Sequence, residues 1–231
     1  MRLTPTMIIG LISILLLIPT LSCDISGFSG KLDEGTIEYD IIYLQDEKDN
    51  PLISLLPTTM LFKFKDDRSI QKIEGWMGIF QMAGIADREN NRRKALLKIM
   101  NEKYVFETTM DGPNFGFDEI SKIRIVPSDS SKTIAGYLCK RFDVFLGDSA
   151  KSAFSLFYTD QIKLNKPNCN NPFNMIDGVL LDFQMSFQKI PMHFIAKKVI
   201  KETIIDDEFN VPEGFVKVPK EKMQETISNL M

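Results

Sequence analysis

The chain has 231 residues, of which 44% are hydrophobic and 26% charged, with 28 basic against 31 acidic side chains. Setting aside the first 22 residues, whose only charge is Arg2, leaves 27 basic against 31 acidic, a balance of −4. That mild acidity argues against a nucleic-acid partner, which needs a basic face to neutralise phosphates, and about 200 residues are enough for one domain with a full core.

The N-terminus places Arg2 ahead of an Ile- and Leu-rich run from Met7 to Leu21, interrupted by Pro19 and Thr20 before Ser22-Cys23. A charged, then apolar, then small-residue order is the layout of a secretory signal, here residues 1–22. The apolar run has about 15 residues, short of the roughly 20 that a membrane-spanning helix needs. Leu21-Ser22-Cys23, followed by the polar start Asp24, Ser26 and Ser29, resembles a bacterial lipoprotein signal. It departs from that pattern at the position three before the Cys, which holds Thr20, with the large aliphatic Leu21 one place late. The resemblance implies lipidation at Cys23, a tether over 23–33, and a domain that faces the periplasm from the outer or inner membrane of a bacterial envelope. Acyl chains then hold it there, each buried CH₂ contributing about 0.8 kcal/mol. An ordinary cleaved signal with an incidental Cys is the alternative.

Residues 34–231 read as a single β-rich domain. Thr36 to Tyr43 alternates, with Ile37, Tyr39, Ile41 and Tyr43 on one face and Glu38 and Asp40 on the other, the pattern of a half-buried strand. After a polar loop, Thr59 to Lys65 alternates again with Met60, Phe62 and Phe64 inward, and Ser69 to Ile73 pairs back across Asp66-Asp67-Arg68. Trp76 to Ala86 is apolar and punctuated by Gly, compatible with a strand, a short helix or a flap; Asp87 to Arg93 reads as a loop. Strands follow at Lys94–Met100, Tyr104–Thr109 and Lys122–Val126, then a turn at Ser128–Ser131 and a hairpin from Tyr137–Leu146 and Ala153–Tyr158. A long irregular loop covers 165–174. Val179–Gln188 and Met192–Thr203 form a last hairpin turning through Lys189-Ile190-Pro191, and Glu208–Pro219 is irregular. Pro219 followed by Glu221, Met223, Ile227 and Leu230 predicts a C-terminal helix. Roughly ten strands with hairpin-length connections predict a mainly β fold: a curved antiparallel sheet, half-barrel or open barrel, with short helical lid segments and a C-terminal helix.

Catalytic chemistry is hard to find. His193 is the only histidine, it falls in a strand context, and no Ser occupies a GxSxG-type elbow, so a packed or edge-strand histidine is the expectation. The carboxylates alternate with apolar residues as solvated strand faces do, and no spacing selects an acid–base pair. Asp206-Asp207-Glu208 is a local acid cluster that can attract a cation or simply be a solvated turn. The glycines make no phosphate loop. Without CxxC or a Cys/His cluster, no structural zinc, other metal or cofactor is expected. Once Cys23 is lipidated, Cys139 and Cys169 remain as an even pair, which an oxidising compartment can join into a disulfide. Such a bridge stabilises by roughly 3–4 kcal/mol through loop-closure entropy. Two unpaired thiols are the alternative.

The unusual component is the apolar one: 17 Phe and 12 Met against one Trp. Phe62, Phe64, Phe183, Met185 and Phe194 fall on alternating positions that a curved sheet turns towards its concave side. There they either line a ligand cavity or fill an ordinary core.

Five segments, in order over most of the mature chain, together resemble a family of exported bacterial proteins of unknown function with a lipoprotein-carrier-like (LolA-like) half-barrel. They are Glu34-Gly35-Thr36-Ile37-Glu38-Tyr39, Ile134-Ala135-Gly136-Tyr137-Leu138-Cys139-Lys140, Phe157-Tyr158-Thr159-Asp160, Ile176-Asp177-Gly178-Val179-Leu180-Leu181 and Val211-Pro212-Glu213-Gly214-Phe215. The resemblance implies helical lids over an apolar face and carries no catalytic residues. The expectation is a non-enzymatic protein whose concave wall, built from those five Phe and Met residues, takes a lipid or other apolar ligand. The alternative is an envelope interaction protein with a filled core, binding a protein partner at an edge strand or through 76–93.

Overall fold

Apolar side chains at every second position force the chain into strands, because only a pleated strand puts residues i and i+2 on one face. In the computed structural model, which describes residues 31–48, 50–116 and 122–229, these strands form one twelve-stranded sheet. The strands are β1 (Glu34–Tyr43), β2 (Thr59–Lys65), β3 (Arg68–Gly75), β4 (Phe80–Asp87), β5 (Arg92–Ile99), β6 (Glu102–Thr109), β7 (Ile123–Ile134), β8 (Tyr137–Leu146), β9 (Phe154–Thr159), β10 (Val179–Phe187), β11 (Ile190–Ile200) and β12 (Val216–Lys217). The helix α1 spans Lys220–Ser228. The spatial order is β12-β6-β5-β4-β3-β2-β1-β11-β10-β9-β8-β7. Two meanders, β1–β6 and β7–β11, are therefore joined where β1 pairs with β11. All pairings are antiparallel except that of β12 on β6, and the sheet is curved but not closed.

Three bulges interrupt the ladders and bend the strands. On β11 the extra residue Lys197 lies between the pairs Tyr39↔Ala196 and Glu38↔Lys198, which lets both Ala196 and Val199 face inward. On β10, Leu181 is inserted between Leu180↔Tyr158 and Asp182↔Phe157. On β7, Asp129 and Ser130 bulge between Ser128↔Arg141 and Ser131↔Lys140. Gly178 is required just before β10: a Cβ there would come within 2.4 Å of the Tyr158 ring, which lies over it.

The inner face holds the main core. Ile37, Tyr39 and Ile41 of β1 meet Met60, Phe62 and Phe64 of β2, Phe183 and Met185 of β10, and Met192 and Phe194 of β11. Phe183 and Phe194 are cross-strand partners whose rings stack at 5.1 Å, and Tyr39 meets Phe183 edge-on. Each such burial contributes about 1.5–3 kcal/mol. The ends are closed by other segments. Ile162, Leu164, Phe173 and Ile176 from the loop between β9 and β10 enter this core at the end where β1 begins. Leu32 joins them, bridging to Ile162. The outer face of β3–β6 carries a second cluster of Ile70, Ala83, Ile85, Leu96 and Val105, covered by Ile204 and Phe209 from the segment after β11. The chain then rounds the edge as β12, and α1 returns Met223 and Ile227 to the inner core.

Several local expectations are corrected. Of the forms open to Trp76–Ala86, the chain takes a tight turn over Trp76–Gly78, with Met77 at positive φ, and then strand β4, whose Phe80 and Met82 lie in phase with the inner face. Ser128–Ser131 is not a turn but the bulge inside the long β7; the hairpin turns at Ala135-Gly136, both at positive φ as a tight two-residue turn demands. The last hairpin turns at Gln188-Lys189, again with both φ positive, rather than at 189–191. The stretch 208–219 contains the short β12, and Arg92 and Arg93 belong to β5 rather than to the loop before it. The signal segment 1–22, Cys23 and the tether up to residue 30 lie outside the described residues; Lys31 to Asp33 lie within them, where Leu32 is buried.

Candidate functional site

The five residues read as either cavity wall or core are interior. Phe62, Phe64, Phe183, Met185 and Phe194 are each at most 4% exposed and pack against one another and their neighbours. The open part of the inner face lies beside them, at the end where β1 and β3 finish. A cleft there is bounded by Tyr43, Leu56, Pro57, Phe80, Phe187, Ile190 and Met192, with Ile227 of α1 closing one side. Its wall exposes no polar surface. Tyr43 keeps its hydroxyl out of play by donating it to the Pro57 carbonyl at 2.6 Å, and burial raises that phenol above its usual range. The space a water-sized sphere can enter is about 50 Å³. That is room for a few waters, each needing about 10–15 Å³ on this measure, and too little for an acyl chain unless a neighbour moves.

A second, more polar recess lies towards the other end, among Gln71, Gly84, Arg93, Thr108, Phe115 and Asn170. Ile73 and Met82 border both spaces and divide them. Gly116 lies over this divide, at φ +104, where a Cβ would touch Met82 Sδ at 3.8 Å and Phe187 at 3.9 Å.

Arg93 organises the recess. It falls on the inner phase of β5 with Ala95, Leu97 and Ile99, and its guanidinium is buried. Its nitrogens donate to the carbonyls of Thr109 (3.2 Å), Cys169 (2.6 Å) and Gly112, and to Asn114 Oδ1. One side chain thus ties the loop carrying Cys169 and the segment after β6 to the sheet. Arg88 adds donations to the Lys166 carbonyl and to Cys169 Sγ. Burial lowers both arginines from their ordinary value, against the pull of nearby Cys169. The sequence reading missed Arg93 because a run of charges looks solvated; extending the Ala95-Leu97-Ile99 alternation back by two positions would have found it.

Of the two alternatives for Cys139 and Cys169, a disulfide or two unpaired thiols, the structure has both thiols free. Cys139 points into the core from β8, where burial pushes its thiol up to about 11 and its Sγ donates weakly to Tyr137 O at 3.4 Å. Cys169 is held in the 165–174 loop against Arg88 and Arg93; burial raises its thiol, and the two arginines oppose that. Different elements hold the two sulfurs in different places.

His193 is a strand histidine on the outer face. Its Nε2 lies 2.6 Å from Asp182 Oδ1, while Lys132 Nζ reaches Asp182 Oδ2 at 2.6 Å and sits 3.9 Å over the Phe157 ring. The bulge at Leu181 turns Asp182 towards these partners, so its 6% exposed carboxylate is compensated. The acid cluster is consumed internally: Asp206 pairs with Lys65 (2.9 Å) and Arg68 (2.8 Å), and Glu208 with Lys63 (2.5 Å). Among the described residues, no group of three or more His, Cys, Asp and Glu is placed to hold a metal ion, and no helix is long and apolar enough to cross a membrane. No protein-family model matches the chain, and no curated protein matches its sequence.

Proposed function

We propose that this chain is a non-enzymatic bacterial envelope lipoprotein, anchored through Cys23 and facing the periplasm, that binds a lipid chain or similar apolar ligand at the inner face of its open sheet. One observation carries the reading: the cleft beside Phe80, Phe187 and Met192 has a wall with no polar surface, so it offers nothing to a polar substrate. The binding residues move accordingly from the buried Phe183 and Phe194 to Phe80, Met82, Phe187, Ile190 and Met192. Ile227 and Met223 of α1 are the part that must yield to make room. The flexible thioethers of Met82 and Met192 adapt to a chain of irregular shape.

Native mass spectrometry on residues 24–231 purified from a bacterial periplasm, followed by organic extraction, tests this. Extra mass that extracts as lipid, and that disappears in Met192→Trp, is the expected result. A bare mass in the parent protein would sink it. The reading favoured in that case is an envelope interaction protein with a filled core, which the burial of Phe62, Phe64, Phe183, Met185 and Phe194 supports.

A further inference from the structure

The end of the sheet that carries the apolar cleft also carries an apolar tip. The β3–β4 connection, Trp76 to Ile79, and the β5–β6 turn at Met100 are neighbours there, tied by Met100 N donating to Ile79 O at 2.8 Å. Met77 is 100% exposed, Met100 67% and Ile79 43%. Both methionines sit in the left-handed region, at φ 53 and 54, where non-glycine residues are uncommon. Solitary exposed apolar residues are ordinary; three of them together on two joined turns are not.

We propose that this tip inserts into the surface of a phospholipid bilayer. Three features favour lipid over a protein partner. The tip is made of two turns, not of a strand edge onto which a partner strand could add. Its backbone is prepared for a medium without water, where unsatisfied carbonyls are costly: Ile79 O accepts from Met100 N, and Gly78 O accepts the Lys98 ammonium at 2.6 Å. The Lys98 ammonium is held on that carbonyl, and Glu74, the carboxylate beside Gly78, is paired with Lys72 at 2.7 Å. Trp76, the chain's single tryptophan, falls in the same turn, and tryptophan concentrates at membrane–water interfaces. Contact is driven by apolar insertion and so does not require anionic lipid. The cleft opens at the same end, so under the function proposed above the tip brings it to its source of apolar chains. The contact itself does not depend on that function.

Among the described residues the twelve strands and both cores lie within 31–229, a span that the segment 24–231 contains. Vesicles of phosphatidylcholine, with and without phosphatidylglycerol, are mixed with it and floated on a density gradient. Trp76 emission is followed with lipids brominated along the acyl chain. The expected result is co-flotation on both kinds of vesicle, a blue shift and quenching. Met77→Asp together with Met100→Asp is expected to lower partitioning at least tenfold, with unchanged circular dichroism and melting, since aspartate tolerates positive φ. Absence of flotation, flotation indifferent to the double substitution, or flotation only with phosphatidylglycerol overturns the proposal. So does a concentration-dependent dimer abolished by the same substitutions, which would assign the tip to a second copy. Protein that floats but carries no extractable lipid and is unaffected by Met192→Trp leaves the tip standing and removes the cleft reading.

Discussion

The two cysteines show how one residue's surroundings decide its chemistry. Cys139 is fully buried among apolar side chains that favour the neutral thiol, and its value of about 11 leaves almost no thiolate at neutral pH. Cys169 is half-buried, and two arginines favour its anion against the burial that raises its thiol. Mass spectrometry of the protein denatured in alkylating reagent is expected to show both thiols modified. In the native state Cys139 should stay unlabelled over times in which Cys169 reacts slowly. A product carrying no alkyl groups at these positions would restore the disulfide. Asp182 makes a related point: a charge inside a sheet is tolerated where a bulge lets it meet His193 and Lys132.

At the scale of elements, the segment after β11 acts as an electrostatic clasp over the outer face. Lys65 and Arg68 hold Asp206, whose carboxyl the Lys65 hydrogen bond chiefly, and the Arg68 hydrogen bond next, keep below the ordinary 3.8. Arg68 also lies over the Phe209 ring at 4.9 Å, and Ile204 N donates to Glu34. A carboxylate with a lowered folded value contributes stability above its unfolded value and loses it as pH falls through the folded one. The contribution of Asp206 is therefore full at neutral pH and lost below 3.8. Melting temperature followed into acid is expected to fall less steeply for Asp206→Asn than for the parent, and identical slopes would assign no clasp to this residue. On the inner face α1 has no side-chain N-cap, and nine residues form no stable helix alone. Docking of Met223 and Ile227 holds it. Ending the chain after Val218 removes both, a loss of roughly 3–6 kcal/mol at about 1.5–3 kcal/mol for each buried side chain. A urea melt should read that loss, together with a rise in dye binding to the uncovered inner face.

For the whole molecule, an open sheet leaves two edges to manage. The β12–β6 edge is short, and β7 is blunted by Pro127 and its double bulge. Local pattern was enough to place most strands and α1, because period-two alternation and a Pro start are properties of neighbouring residues. The inward sets Ile37-Tyr39-Ile41 and Met60-Phe62-Phe64 were legible for the same reason. So was the expectation that the protein is mainly β. Turns at Ala135-Gly136 and Gln188-Lys189 were harder, since Ser128–Ser131 carries equally good turn residues and only the pairing of β7 with β8 shows that they bulge. The tertiary structure alone decided where inward-facing residues become core and where they leave space. Phe183 and Met192 alternate alike, yet Phe183 lies mid-sheet under its neighbours while Met192 lies at the end of the sheet beside the cleft. It also decided that Arg93 is buried and that Cys139 and Cys169 stay apart. Each depends on which distant segment folds over it, and sequence fixes a side chain's phase along its own strand without fixing what crosses above.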